Sequence, residues 1–253
     1  MALSKSMLVA RVDLKMALKV SYVKYGLVLV VAIGPLMVLG LVGLMAFSMS
    51  AIEFTAVMAI MNPMLGPMLG LIAIIPASLI AANALVGERE QNTLEPLLCT
   101  PLTDRELLIG KVLSSFIPSI ALLLGSIGVT EIGTIIMLSL AGQTIALIPD
   151  IPGLFLLLVA GPLMILAMNS VMILISGRVT RVYEAYQSSG ALVMVFMLPI
   201  FLPMITMNAQ GIPDPSSVWI SDIVTILIAL VLFVVTWALA LGRFNRDKMV
   251  SLV

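Results

Sequence analysis

GEREQNTLEPLLCTPLTDRELLIGK, residues 87–111, is a charged island in a chain that is otherwise almost wholly apolar. Eight of the 13 basic and 13 acidic residues fall in it, whereas the runs 54–87 before it and 112–130 after it carry no charge at all. Eight charges held at the centre of a bilayer would cost roughly 20 kcal/mol or more, at about 2.5–3.5 kcal/mol each. The island must therefore lie in water while its flanks lie in lipid, and this alternation decides the fold.

The rest of the composition agrees. The chain is 61% hydrophobic and 10% charged, with a mean hydropathy of +1.21; a soluble domain carries about 25% charged residues. This is an integral membrane protein. Its net charge is zero and no basic tract is dense enough for nucleic acid. The single Cys99 excludes a disulfide within the chain and any multi-cysteine metal site. With no histidine, imidazole catalysis and imidazole metal ligation are absent. The one Gly-Lys pair, Gly110-Lys111, has Arg105 where a P-loop needs its first glycine and Val112 where it needs Ser or Thr. No cofactor is expected in this chain. The first 25 residues are mixed in character, without the short apolar run and small-residue site of a cleavable signal peptide.

A helical span needs about 20 apolar residues. Charge-free runs place six of them at about 26–48, 64–86, 110–131, 153–176, 186–207 and 220–242. The run 132–149 is ambiguous, weakened as a span by Gly133, Gly142, Gln143 and Thr144. Six spans put every one of the 13 Lys and Arg on one side, while Glu53, Glu131, Asp150, Asp214 and Asp222 fall on the other. The positive-inside rule then places both termini and the island in the cytoplasm. The expected fold is an all-α membrane protein: a single transmembrane domain over 1–253, six transmembrane helices, N-in and C-in, with an outer loop at 208–222 anchored by Trp219.

Residues 1–25 precede the first span, and 3–24 read as an amphipathic helix lying on the inner leaflet. Arg11, Lys15 and Lys19 form a basic row beside an apolar row of Val9, Val12, Met16, Val20 and Val23, with Leu14 and Leu18 turned elsewhere, towards the bundle. Prolines 35, 67, 76, 118, 162, 199 and 203 fall inside spans and are expected to kink them. Met58, Met61, Met64 and Met68 carry thioethers that suit Cu(I), but they equally fill irregular membrane cores, and Pro63 and Pro67 are expected to break their helical register. Glu131 lies about 20 residues beyond Lys111, roughly 30 Å of helix, and is expected at the outer interface. Glu53 is expected in the first outer loop. Asn83, Asn169 and Gln187 are candidates to line a path or to bond between helices.

Within the island, Thr103-Asp104-Arg105-Glu106 is a capping box: Thr103 accepts from the Glu106 N–H, and Glu106 reaches back to the Thr103 N–H. Leu102 and Leu107 flank it. Upstream, Thr93 is an N-cap candidate with Glu95 and Pro96 in the first turn. A short helix over 93–99 ends before Pro101 and groups Leu94, Leu97 and Leu98 on one face. The island is thus a charged exit (Glu88, Arg89, Glu90), a transverse helix, a proline break and a capped return helix. Leucines exposed on a cytoplasmic helix call for a partner, either elsewhere in this chain or in a second protein.

The run Glu88-Arg89-Glu90, Asn92-Thr93-Leu94-Glu95-x-Leu97-Leu98-x-Thr100-Pro101-Leu102-Thr103 and Glu106-Leu107-x-x-Gly110-Lys111 resembles the signature loop of the type 2 ABC transporter permeases, the membrane halves of ATP-binding-cassette exporters. Asn92 stands where that family usually has Gly. The later loop from Ser176-x-Arg178-Val179 to Glu184-Ala185-x-Gln187 is similar but less specific. The resemblance implies a dimer of permeases, a second copy or a paralogue, with a separate ABC ATPase subunit under each that carries ATP and Mg. It implies that 93–99 is the coupling helix, with Glu88, Arg89, Glu90, Thr93, Leu94, Glu95, Leu97, Leu98, Thr100 and Pro101 at the ATPase joint in the loop 87–111. It names no substrate.

Two other classes compete. A secondary transporter or channel driven by an ion gradient would carry paired carboxylates or bases deep in its spans, and the charge-free runs supply none at mid-span. An intramembrane enzyme would need a nucleophile–base pair or metal ligands, for which a chain without histidine is poorly equipped.

Overall fold

The computed structural model describes residues 2–17, 19, 21–82, 103–176, 184, 187, 194 and 213–243. These are almost entirely helical. We number the long helices α1 (Ala2–Ala17), α2 (Ser21–Ser48), α3 (Ala51–Ala82), α4 (Asp104–Ala141), α5 (Ile151–Ser176) and α6 (Pro215–Arg243). All but α1 are long and apolar enough to cross a membrane. They account for five of the six expected spans; the sixth, 186–207, lies outside the described residues, as do the short helix at 93–99 and the loop positions Glu88 to Pro101.

Helix bounds differ from the apolar runs for local reasons. The helix expected over 3–24 is two helices, α1 and α2, separated by a turn in which the Lys19 N–H donates to the Met16 carbonyl at 3.0 Å. The break frees α1 to pack along α4. α3 starts at Ala51, not near 64, because Ser50 and Glu53 cap it. The Ser50 N–H and hydroxyl both donate to Glu53 Oε2, at 3.0 and 2.8 Å. Glu53 therefore opens a helix instead of sitting in a loop. Pro63, Pro67 and Pro76 lie within α3 without ending it, since each proline removes a single backbone bond and leaves the helical phase running. The methionine register is correspondingly intact, and Met58 and Met68 pack into the hydrophobic core.

α4 is the longest element, 38 residues or roughly 57 Å. It takes in the first part of the ambiguous run 132–149 and stops at Gly142, whose φ of 68° is the left-handed conformation that glycine adopts freely. The glycine that weakened that run as a span is thus the C-cap of its neighbour. Glu131 lies ten residues short of this end, half-buried beside the Ile148 backbone. The connection from α4 to α5 is tied down by side chains: Gln143 Nε2 donates to the Ala46 and Met49 carbonyls at 3.0 and 3.1 Å, and Asn62 Nδ2 donates to the Leu147 carbonyl at 3.0 Å.

One core cluster joins α2, α3, α4 and α5 through Val38, Val42, Phe54, Leu65, Leu123 and Leu157. A second joins α3, α5 and α6, where Met164, Met168 and Met172 repeat every fourth residue on α5, all fully buried. Unbranched thioethers suit such irregular interhelical space. In contrast, only 17% of the apolar window of α6 and 38% of that of α2 is buried, so both present broad apolar faces that require lipid or another subunit around them.

α3 and α5 approach at the backbone. A Cβ added to Gly66 would lie 2.7 Å from the Gly153 Cα and 3.1 Å from its carbonyl carbon and oxygen. Backbone atoms cannot swing aside. Gly66→Ala is expected to cost about 1–3 kcal/mol, read as a lower thermal midpoint of the purified chain in detergent. An unchanged midpoint would remove this crossing from the account of the fold.

Candidate functional site

The site begins at the C-terminal end of the charged island. Thr103 has the extended backbone of an N-cap, with φ −76° and ψ 155°, and both halves of the expected capping box form. The Glu106 N–H donates to Thr103 Oγ1 at 3.3 Å and the Thr103 N–H donates to Glu106 Oε2 at 3.0 Å. The first backbone donors of α4 are thus satisfied, and the chain arriving from 102 enters the helix at a fixed angle. Thr103→Ala is expected to destabilise α4 by about 0.5–2 kcal/mol, seen as faster hydrogen exchange confined to its first turn. Protection equal to wild type would show the cap to be dispensable.

α1 lies against this capped end. Ser6 Oγ donates to the Glu106 carbonyl at 3.1 Å. One turn further, a Cβ on Gly110 would lie 2.8 Å from Val9 Cβ and 2.9 Å from the Ser6 carbonyl oxygen. Gly110, already part of the sequence signature, is here the notch that lets α1 seat. A turn further again, Lys111 Nζ meets Asp13 Oδ2 at 3.5 Å, with the two side chains 2% and 3% exposed. A buried ion pair therefore bolts the N-terminal helix to the foot of α4.

The electrostatics of the bolt are costly. Burial pushes the Asp13 carboxyl above its ordinary range, and the attraction and hydrogen bond of Lys111 pull it only part of the way back. Removing Lys111 strands the Asp13 carboxylate in a dry contact.

The sequence reading missed this pair. Lys111 counted as one basic residue among 13, and Asp13 was masked by its basic neighbours Arg11 and Lys15. The signal was present: Ser6, Val9, Ala10 and Asp13 recur with helical spacing, and all four are buried. Of the apolar stripe, Val12 and Met16 are exposed, as a lipid-facing row requires, whereas Val9 is buried against α4; Leu14 is half-buried. The face that docks on α4 is the small and polar one; the face with Val12 and Met16 is left for lipid or another surface.

α4 also carries Ser115, Ser119, Ser126, Thr130 and Thr134, all buried. Ser115, Ser119, Ser126 and Thr130 return their hydroxyls to their own helix at 2.7–3.1 Å. They act as small contacts that allow close helix approach. Asn169 on α5 is buried with both amide atoms unpartnered, and Gln187 is exposed; Asn83 lies outside the described residues. Among the described residues no group of three acidic, Cys or His side chains could hold a metal.

Comparison with known proteins adds one match. The model for ABC-2 family transporter proteins covers residues 7–216, from the second turn of α1 to the start of α6. A search of curated proteins returns no match.

Proposed function

This chain belongs to the ABC-2 family of transporter proteins, and on that premise we propose that it is the membrane subunit of an ATP-driven exporter, energised by a separate ATPase polypeptide. The family match places the chain among membrane transport components. The finer reading assigns work to the island. The transverse helix 93–99 seats on the ATPase, with Leu94, Leu97 and Leu98 as its apolar face and Glu88, Arg89, Glu90 and Glu95 as its charged margin. Both termini lie in the cytoplasm, and a second copy or a paralogue completes the transporter.

The observation that carries this reading is the joint at the foot of α4. The coupling segment is followed directly by a capped helix end that α1 clamps through Gly110 and the Asp13–Lys111 pair. A clamped helix end moves as a body, so a push on the segment is delivered along α4 instead of being absorbed by fraying.

The test is assembly. Co-expressed with candidate ATPase subunits, the chain is expected to retain one through purification, and the reconstituted complex to hydrolyse ATP at a rate that responds to the permease. Failure of every ATPase to co-purify, together with transport that proceeds without ATP, would overturn the reading in favour of a gradient-driven carrier.

A further inference from the structure

At the end of α4 remote from α1 lies a cavity of about 410 Å³ whose walls include Phe54, Met58, Asn62, Thr144, Asp150 and Trp219. Drug-sized ligands occupy pockets of about 300–1,000 Å³ with mostly apolar walls and a few placed polar groups. This one is built on the N-terminal turns of α3 and α6 and on the connection before α5. Gln143 and Asn62 anchor that connection, so the pocket has rigid walls.

Its charge is one-sided. Among the described residues, Asp150 is the single charged residue of the wall. Burial raises its carboxyl above the ordinary range, opposed by the Gly153 N–H that donates to it at 3.1 Å. Asp222 stands one helical turn on from the wall residue Val218; it is 2% exposed, its Oδ2 has no hydrogen-bond partner, and it is near enough to Asp150 for their charges to interact. Asn62 Oδ1 is a further buried acceptor without a donor. No Lys or Arg occurs in 51–82, 112–152 or 213–242, the described stretches around this end. The Asp150 carboxylate and the Asn62 amide thus line an apolar chamber with no basic residue in those stretches, an arrangement that a cation with an apolar body completes. Trp219, tilted against Phe155 at 5.7 Å, adds an aromatic surface of the kind that attracts ammonium groups.

We propose that the cavity between the N-terminal turns of α3 and α6 binds an amphipathic organic cation, with Asp150 as its counter-ion and Phe54, Met58 and Trp219 around its apolar body. The inference rests on the transport reading only for the cation's role as cargo; binding itself needs no ATPase. Lipid headgroups and soluble compounds both supply such ammonium chemistry.

Equilibrium binding of radiolabelled tetraphenylphosphonium to the intact chain in lipid nanodiscs tests it, with empty discs subtracted. Saturable binding is expected, displaced by unlabelled tetraphenylphosphonium and not by tetraphenylborate, which has the same shape and the opposite charge. Asp150→Asn is expected to weaken it at least tenfold. Binding is measured in discs of a neutral galactolipid and again in discs of phosphatidylcholine: weaker binding in the latter assigns the site to a lipid ammonium headgroup, and equal binding assigns it to a soluble cation. Displacement by both ions alike, or unchanged affinity in Asp150→Asn with an unaltered thermal midpoint, would overturn the proposal. Because no ATPase is present, such a failure leaves the coupling reading intact.

Discussion

Lys111→Met is expected to destabilise the chain by about 3–5 kcal/mol, and adding Asp13→Leu is expected to recover most of that loss. The single change leaves the Asp13 charge in a contact where the side chains are only 2% and 3% exposed. The double change removes both charges and fills the space with apolar volume. The pH dependence follows the same physics. A carboxyl raised in the folded state binds its proton more tightly there than in the unfolded chain. The stability tied to Asp13 is therefore greatest below the ordinary carboxylate range and declines as pH rises through the raised value. The double variant loses that decline. A double-mutant cycle of Asp13→Leu, Lys111→Met and the two combined, on thermal or denaturant unfolding in detergent, reads the coupling. Additive single effects would show that the two residues do not act as a pair. The bolt is thus a device of position, holding α1 in one register on α4, and not a source of stability.

Leu97→Pro should nearly abolish ATP-driven transport in liposomes while leaving the chain inserted and folded. A proline inside a helix costs about 3 kcal/mol, equivalent to roughly 150-fold in the equilibrium that seats the helix. Leu97→Ala, which keeps the helix and removes a contact, should reduce transport less. Glu88→Lys should weaken ATPase retention more at low salt than at high salt, since salt screens surface charge contacts. Normal transport by Leu97→Pro at wild-type expression would mean that 93–99 carries no coupling.

Legibility followed range. The capping box at Thr103 and Glu106 was readable because its two bonds link residues three apart in sequence. The Asp13–Lys111 pair joins residues 98 apart, and no local pattern reports such a distance. α3 begins at Ala51, ahead of the span expected over 64–86, because the contacts of Ser50 and Glu53 cap it there and its prolines do not end it. The polar docking face of α1 was missed for the same reason of range, while Val12 and Met16 stand outward as a lipid-facing stripe does. A membrane-surface helix can leave Val12 and Met16 outward and bury Ser6 and Asp13 against a protein neighbour, because lipid removes the usual penalty on exposed apolar groups.

The sequence by itself determined that this chain lives in a membrane and that its spans are helices. Those results follow from solvation alone: hydrocarbon accepts neither charges nor unpaired backbone groups, so length and charge spacing suffice. Only the tertiary structure decided which face of α1 docks, that Gly110 is the notch admitting it, and that Phe54, Asp150 and Trp219 enclose one chamber. Each of these depends on the close approach of backbones remote in sequence, and helix packing is set by side-chain shape at the crossing, which composition does not encode.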